Sequence, residues 1–197
     1  MSDSNKKSSL APYKDIIVFV VTMLIANYLW KFTFTGDENG TNVTWLGLDV
    51  TAPFALMAQH VASVVSEILG WFSEGVRYIE PYTVRFANSN GIRIIWGCTG
   101  LKQSFIWLAI MLTAAGAWRH KAWFIPMGLV CIYLFNIFRI AAIALICEDH
   151  PELFDLMHTY IFKYAFYIMM FLLWVWWTEC FGRQRKTDSS CTSDRSA

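Results

Sequence analysis

Four long apolar blocks constrain this chain more than any other feature of its sequence. The blocks are Ile16–Phe32, Leu101–Trp118, Ala122–Ile146 and His158–Phe181. As a helix, each is about long enough to cross a hydrocarbon core of ~30 Å. Only 16% of the 197 residues are charged, whereas soluble domains carry about 25%. We therefore predict an all-α membrane protein built on a bundle of four transmembrane helices.

Polar segments at both ends frame one membrane domain. Residues 1–14 and 182–197 are rich in Ser, Lys, Arg, Thr and Asp, with little apolar surface to bury, and are predicted to be disordered cytoplasmic tails. Residues 15–181 are predicted to form a single membrane-embedded domain, because four spans leave no room for a separate soluble domain.

The distribution of basic residues predicts the orientation. Lys and Arg are enriched in loops on the cytoplasmic side of a membrane. They cluster at three places that share one side if the four long blocks cross, namely Lys6/Lys7/Lys14, Arg119/Lys121 and Arg183/Arg185/Lys186. The acidic loop 148–152 then faces outward. We expect a multi-pass protein of the inner (cytoplasmic) membrane.

A further apolar segment, Thr51–Phe72, carries its polar residues on one helical stripe. That stripe comprises Gln59, His60, Ser63, Ser66 and Glu67. Helical spacing with one polar face predicts an amphipathic helix at the outer interface. A fifth span with its polar stripe facing an internal cavity remains the alternative, although a crossing here would split the basic clusters between the two sides.

Two β-rich runs, 83–86 and 92–96, flank an Asn-Gly turn. Alternating apolar residues around Asn-Gly predict a β-hairpin. On the predicted topology this short hairpin is extracytoplasmic, and it leads directly into the sequence Gly97-Cys98-Thr99-Gly100.

Three chemically reactive residues fall near the outer ends of three different spans, namely Cys98, Arg139 and His158. Arg139 is the most informative, because an arginine inside an apolar run is costly and normally faces the bundle interior or a water-filled cavity. Snorkelling to the interface, or an ion pair with Glu148, are the alternative explanations.

The surroundings of Cys98 predict an activated thiol. Its position at a helix N-terminus is expected to lower the thiol pKa through unpaired N–H groups and the helix dipole, and Lys102 adds positive charge. Gly97 and Gly100 would let a substrate backbone approach closely. Asn136 lies one turn before the arginine and is expected to orient it or share its ligand.

This set of residues suffices for acyl transfer. The thiolate attacks a carbonyl, His158 passes a proton to the departing amine, and Arg139 with helix-terminal N–H groups stabilises the oxyanion. Metal binding is not expected, because the five cysteines form no CxxC and no two histidines share a helix at ligand spacing. No cofactor is predicted.

The segments Gly97-Cys98-Thr99-Gly100-Leu101 and Asn136-Ile137-Phe138-Arg139-Ile140, followed by His158, resemble the exosortase/archaeosortase family. The resemblance covers about residues 82–181 and implies a compact, membrane-embedded cysteine transpeptidase-like enzyme. It matches Cys98 to the nucleophile and Arg139 and His158 to the essential arginine and histidine. Thr99 stands where a serine is common in the family, and the chain is shorter than many members.

The resemblance also implies partners. These are membrane-anchored exported proteins with a C-terminal sorting helix, membrane lipids, and either water or an amine-bearing acceptor, with the site facing the extracytoplasmic side. Binding to nucleic acid is not expected. The alternative function is a non-catalytic multi-pass envelope protein, such as a transporter subunit or a polysaccharide assembly factor, in which Arg139 binds an anionic group.

Overall fold

The computed structural model describes residues 13–37, 42–79, 81–87 and 91–182. Nearly all of both predicted tails, and the tip of the predicted hairpin, therefore lie outside the described residues. Five α-helices follow in chain order within them: α1 (Lys14–Thr33), α2 (Thr51–Leu69), α3 (Leu101–Thr113), α4 (Trp118–Asp149) and α5 (Phe162–Trp177). Together they confirm the predicted all-α membrane protein.

Four helical segments are long and apolar enough to cross a membrane. They are Lys14–Thr33, Thr51–Leu69, Trp118–Asp149 and Pro151–Phe181. The last of these includes a 3-10 turn at Pro151–Leu153 and two π-helical turns, at Leu156–Ile161 and Thr178–Gly182, on either side of α5.

Two small antiparallel sheets join the helices. The first contains β1 (Phe34–Gly36), β2 (Val43–Trp45) and β3 (Leu48–Asp49), and the second β4 (Arg77–Ile79), β5 (Thr83–Arg85) and β6 (Ile92–Arg93). The pairing of β5 with β6 confirms the predicted hairpin. The first sheet and β4 were not predicted, because strands of two or three residues are too short to show an alternating pattern.

Helix α3 packs antiparallel to both α1 and α4. Against α1, the hydroxyls of Thr22 and Thr113 are 3.2 Å apart near one end, and the rings of Trp30 and Phe105 are 5.5 Å apart near the other. Against α4, the Trp107 ring lies directly over Gly128, where a Cβ would overlap it. Hence α1 and α4 run in the same direction.

The predicted block Leu101–Trp118 is not one helix. α3 ends at Thr113, and Gly116 has a φ of +134°, a conformation that side chains disfavour. With 13 residues, α3 is about 20 Å long, shorter than a hydrocarbon core of ~30 Å. Its last turn is capped from α4, where Lys121 Nζ donates to the Ala114 carbonyl at 2.7 Å.

Helix α2 packs on the second half of α4 and runs in the same direction. His60 Nε2 lies 2.9 Å from the Tyr133 hydroxyl, and beyond the end of α2 Ser73 Oγ donates to Glu148 at 3.1 Å. Two consecutive helices that both crossed the membrane would run in opposite directions, whereas α1 and α2 run in the same one. The contacts thus favour the predicted outer-face helix over a fifth span.

Helix α4 is long enough to pack against both the bundle and α2. Its 32 residues span about 48 Å, which exceeds a hydrocarbon core by about 18 Å. The first half packs in the bundle with α1, α3 and α5. Ile137, Ile140, Ala141 and Ala144 of the second half pack against α2 and the second sheet. The chain therefore forms a helical bundle with a second packed unit at one end.

Candidate active site

Cys98 and His158 meet at the boundary between the bundle and this second unit. Cys98 ends the 3-10 turn Trp96–Cys98, which links the second sheet to α3, and His158 lies in the π-helical turn before α5. The Cys98 Sγ is 3.7 Å from His158 Nε2. The Phe154 ring stacks on the imidazole, with ring centroids 5.3 Å apart and planes within 8°. Residues 60 positions apart thus form a thiol–imidazole pair.

The turn that carries Cys98 is closed by its own backbone. The Cys98 N–H donates to the Ile95 carbonyl at 2.8 Å, and the Thr99 N–H to the Trp96 carbonyl at 3.4 Å. The buried Thr99 hydroxyl donates to the same Trp96 carbonyl at 2.7 Å. The N–H groups of residues 98 and 99 are therefore paired within the turn, and Cys98 precedes α3, which begins only after Gly100.

A hydrogen bond from Asn136 connects this turn to α4. Its Nδ2 donates to the Cys98 carbonyl at 2.8 Å, and its side chain is completely buried. Gly100 packs over the Asn136 side chain with φ at +80°, and a Cβ there would lie 3.3 Å from Asn136 Cγ. The Asn136 Oδ1 has no hydrogen-bond partner among the described residues. Asn136 thus contacts the loop that carries Cys98, a role beyond the predicted orientation of Arg139.

Arg139 lies one helical turn further along α4 and is 6% exposed. Its positive charge interacts with both Cys98 and His158. Glu148, the alternative partner, accepts a hydrogen bond from Ser73 instead, and no ion pair of Arg139 is found within the described residues. Arg139 Nε is likewise left without a partner there. Neither snorkelling nor pairing with Glu148 describes this buried guanidinium.

The electrostatics of Cys98 differ from the expectation. Burial raises the pKa of the Cys98 thiol above its ordinary value, and the charge of Arg139 and a backbone hydrogen bond offset this only in part. The predicted lowering was wrong because desolvation of a thiolate outweighs the nearby charge. An imidazole in contact with the sulfur then becomes the natural acceptor for its proton.

The other predicted site residues lie around this pair. Gly97 is exposed, and a Cβ there would have no atom within 4 Å, so the backbone is open on that side. Lys102 lies in the first turn of α3 and is half-buried. Its charge interacts with those of Lys163 and Lys31, two lysines that no sequence pattern groups with it.

Two further histidines lie in other interactions. His60 contacts Tyr133 on α4, and His150 forms an exposed ion pair with Glu152 at 3.2 Å. Within the described part of the chain, no group of three or more His, Cys, Asp or Glu side chains is arranged to bind a metal ion. The side chains that meet around Cys98 bring together a thiol, an imidazole, a guanidinium and an amide.

Comparison with known families adds one match. A family model described as transmembrane exosortase matches residues 41–176, more than two thirds of the chain. The match begins well before residues 82–181, where the motifs lie, and takes in α2 and most of both sheets. No match was found among curated proteins or among solved structures.

Proposed function

The chain belongs to the transmembrane exosortase family, and we propose that it is a cysteine protease or transpeptidase that cleaves C-terminal sorting signals of exported proteins. The observation that carries this proposal is the 3.7 Å contact between Cys98 Sγ and His158 Nε2 beside the buried Arg139. The reaction takes place at the outer face of the cytoplasmic membrane, on membrane-anchored substrates.

In the first half of the reaction, His158 Nε2 takes the proton of the Cys98 thiol, and the thiolate attacks the scissile carbonyl carbon. The electron pair of the C=O bond moves to oxygen, and the Arg139 guanidinium stabilises this oxyanion. When the tetrahedral intermediate collapses, the C–N bond breaks and His158 returns its proton to the departing amine. A thioester between Cys98 and the substrate remains.

In the second half, water or an amine attacks the thioester carbonyl. Water gives a free carboxylate, and an amine gives a new amide; in both cases the C–S bond breaks and the thiol is regenerated. The backbone of Gly97 is open on one side, which supports close approach of the substrate chain at this point.

Replacement of the nucleophile in cells tests the proposal. The substrate is an exported protein of the same organism that ends in a short motif, an apolar helix and a basic cluster. We expect Cys98→Ala and His158→Ala to abolish cleavage while the protein remains in the membrane, and Cys147→Ala, the matched control, to cleave normally. Mass spectrometry of the mature C-terminus separates hydrolysis from transfer.

Normal cleavage by Cys98→Ala would overturn the proposal. The alternative is a non-catalytic envelope protein that binds an anionic group; it is favoured by Arg139 Nε, which has no hydrogen-bond partner among the described residues. It predicts that Cys98→Ser has no effect in cells, whereas Arg139→Gln does.

A further inference from the structure

Three lysines from three helices lie at one end of the bundle. Lys31 is in the last turn of α1, Lys102 in the first turn of α3 and Lys163 in the first turn of α5. Trp30, next to Lys31, packs against the ring of Phe105, which is three residues after Lys102. The ends of α1 and α3 are therefore adjacent.

The start of α5 is placed beside the start of α3 by the Cys98–His158 contact. Lys102 and Lys163 follow Cys98 and His158 by four and five residues, so both lie about one turn further into the bundle.

The charge of Lys102 lies close to those of the other two lysines, and no carboxylate within the described ranges neutralises the three. The charge of the half-buried Lys102 interacts with those of Lys163 and Lys31. No carboxylate in the described ranges pairs with any of the three, since the one ion pair found there is His150–Glu152. Like charges brought together raise the free energy of the folded protein, and a bound anion would remove that cost.

The aromatic residues nearby indicate where the anion comes from. Tyr28, Phe32, Tyr160 and Tyr164 lie in the same turns of α1 and α5 as the lysines, or in adjoining ones, and each is more than half exposed. The Lys163 Nζ is 6.0 Å from the centroid of the Tyr164 ring. Exposed aromatic side chains beside lysines at helix ends are typical of the headgroup layer of a bilayer. The anionic group of that layer is the lipid phosphate.

Snorkelling alone does not account for this arrangement. A lysine that merely extends toward water keeps its charged head in solvent. Here the half-buried Lys102 lies within electrostatic reach of two exposed lysines from different helices. We propose that Lys31, Lys102 and Lys163 bind the phosphate of an anionic membrane lipid between the ends of α1, α3 and α5, next to the Cys98–His158 pair.

Competition between two lipids tests this site without any assay of activity. The purified full chain is equilibrated with equal amounts of phosphatidylglycerol and phosphatidylcholine, and native mass spectrometry gives the ratio of the two lipids retained. Each lysine near an anionic surface contributes about five-fold to binding. We expect wild type to prefer phosphatidylglycerol, Lys102→Gln to lose about five-fold of that preference, and the triple Gln variant to lose more.

Matched variants separate the effect of the lost charge from any effect of the substitution on folding. Lys14→Gln removes one exposed lysine at the opposite end of α1 and should leave the preference unchanged, while Lys102→Arg keeps the charge and should retain it. An unchanged lipid ratio in Lys102→Gln would overturn the proposal. So would displacement of the lipid by inorganic phosphate or by a soluble acidic peptide at equal concentration, which would identify a free anion or a peptide carboxylate as the ligand.

Discussion

Gly100 separates Cys98 from α3 in a conformation that only glycine adopts readily. Its φ is +80°, and a Cβ would lie 3.3 Å from the Asn136 side chain that holds the Cys98 carbonyl. A left-handed conformation costs a residue with a Cβ about 1–2 kcal/mol. We therefore predict that Gly100→Ala lowers the midpoint of thermal unfolding, measured by tryptophan fluorescence in detergent.

The neighbouring Gly97 provides the control for this prediction. A Cβ there would have no atom within 4 Å, and its φ lies outside the left-handed region. Gly97→Ala should unfold at the wild-type temperature. Equal destabilisation by both substitutions would show that the turn does not depend on the approach of Asn136 to Gly100.

The raised pKa of Cys98 predicts how its reactivity depends on pH. Burial raises the pKa of the Cys98 thiol, and the charge of Arg139 opposes this only in part. The thiolate therefore forms at a higher pH than that of an ordinary thiol, and the rate of alkylation by iodoacetamide should rise only at that higher pH. Arg139→Gln removes the opposing charge and should move the profile to still higher pH. Modification of the Cys98 peptide is followed by mass spectrometry. A profile that stays in place would contradict the assigned interaction.

At the scale of structural elements, the buried side chain of Lys121 caps the C-terminal end of α3. Its side chain is 3% exposed and donates to carbonyls in the last turn of α3 and just beyond it, from Leu112 and Ala114. Lys121→Met keeps the apolar stem but leaves these buried acceptors unpaired, which costs about 1–3 kcal/mol. We expect a lower unfolding midpoint for Lys121→Met and none of this loss for the exposed Arg119→Met. Equal stability of the two variants would rule out the cap.

These elements also show which parts of the structure the sequence could predict. Long apolar blocks predicted the bundle, and the Asn-Gly turn predicted the pairing of β5 with β6. The true end of α3 was missed, because Ala114 and Ala117 continue the apolar block while the break depends on Gly116 and on a lysine from α4. Lys121 itself was interpreted only as a topological charge.

For the candidate site, too, the sequence predicted some features and could not predict others. Spacing and the family motifs selected Cys98, His158 and Arg139 before any geometry was known, and the structure brings the first two into contact. The thiol pKa could not be predicted, because it depends on how completely the tertiary packing excludes water from Cys98. The contact of Asn136 with the Cys98 loop depends on the crossing of α3 and α4, which no local pattern encodes.

At the scale of the whole molecule, the direction of α2 predicts the topology. In a variant whose native cysteines are replaced, single cysteines at Gln59 and Glu67, both exposed on α2, should label equally in intact cells with a membrane-impermeant maleimide. A cysteine at Arg119, in the first turn of α4, should label only after the membrane is made permeable. Labelling of only one of the two α2 positions in intact cells would mean that α2 crosses the membrane.

The burial of the Cys98 thiol has a further consequence for the lifetime of the protein. Oxidation to sulfenic and sulfinic acids proceeds through the thiolate, so a sulfur that stays protonated at neutral pH is oxidised slowly. On the proposed outer face, beyond the reducing cytoplasm, this protects a residue that has no partner for a disulfide within the described part of the chain. For the proposed enzyme, the desolvation that keeps the Cys98 thiol protonated would thus also protect it from oxidation between reactions.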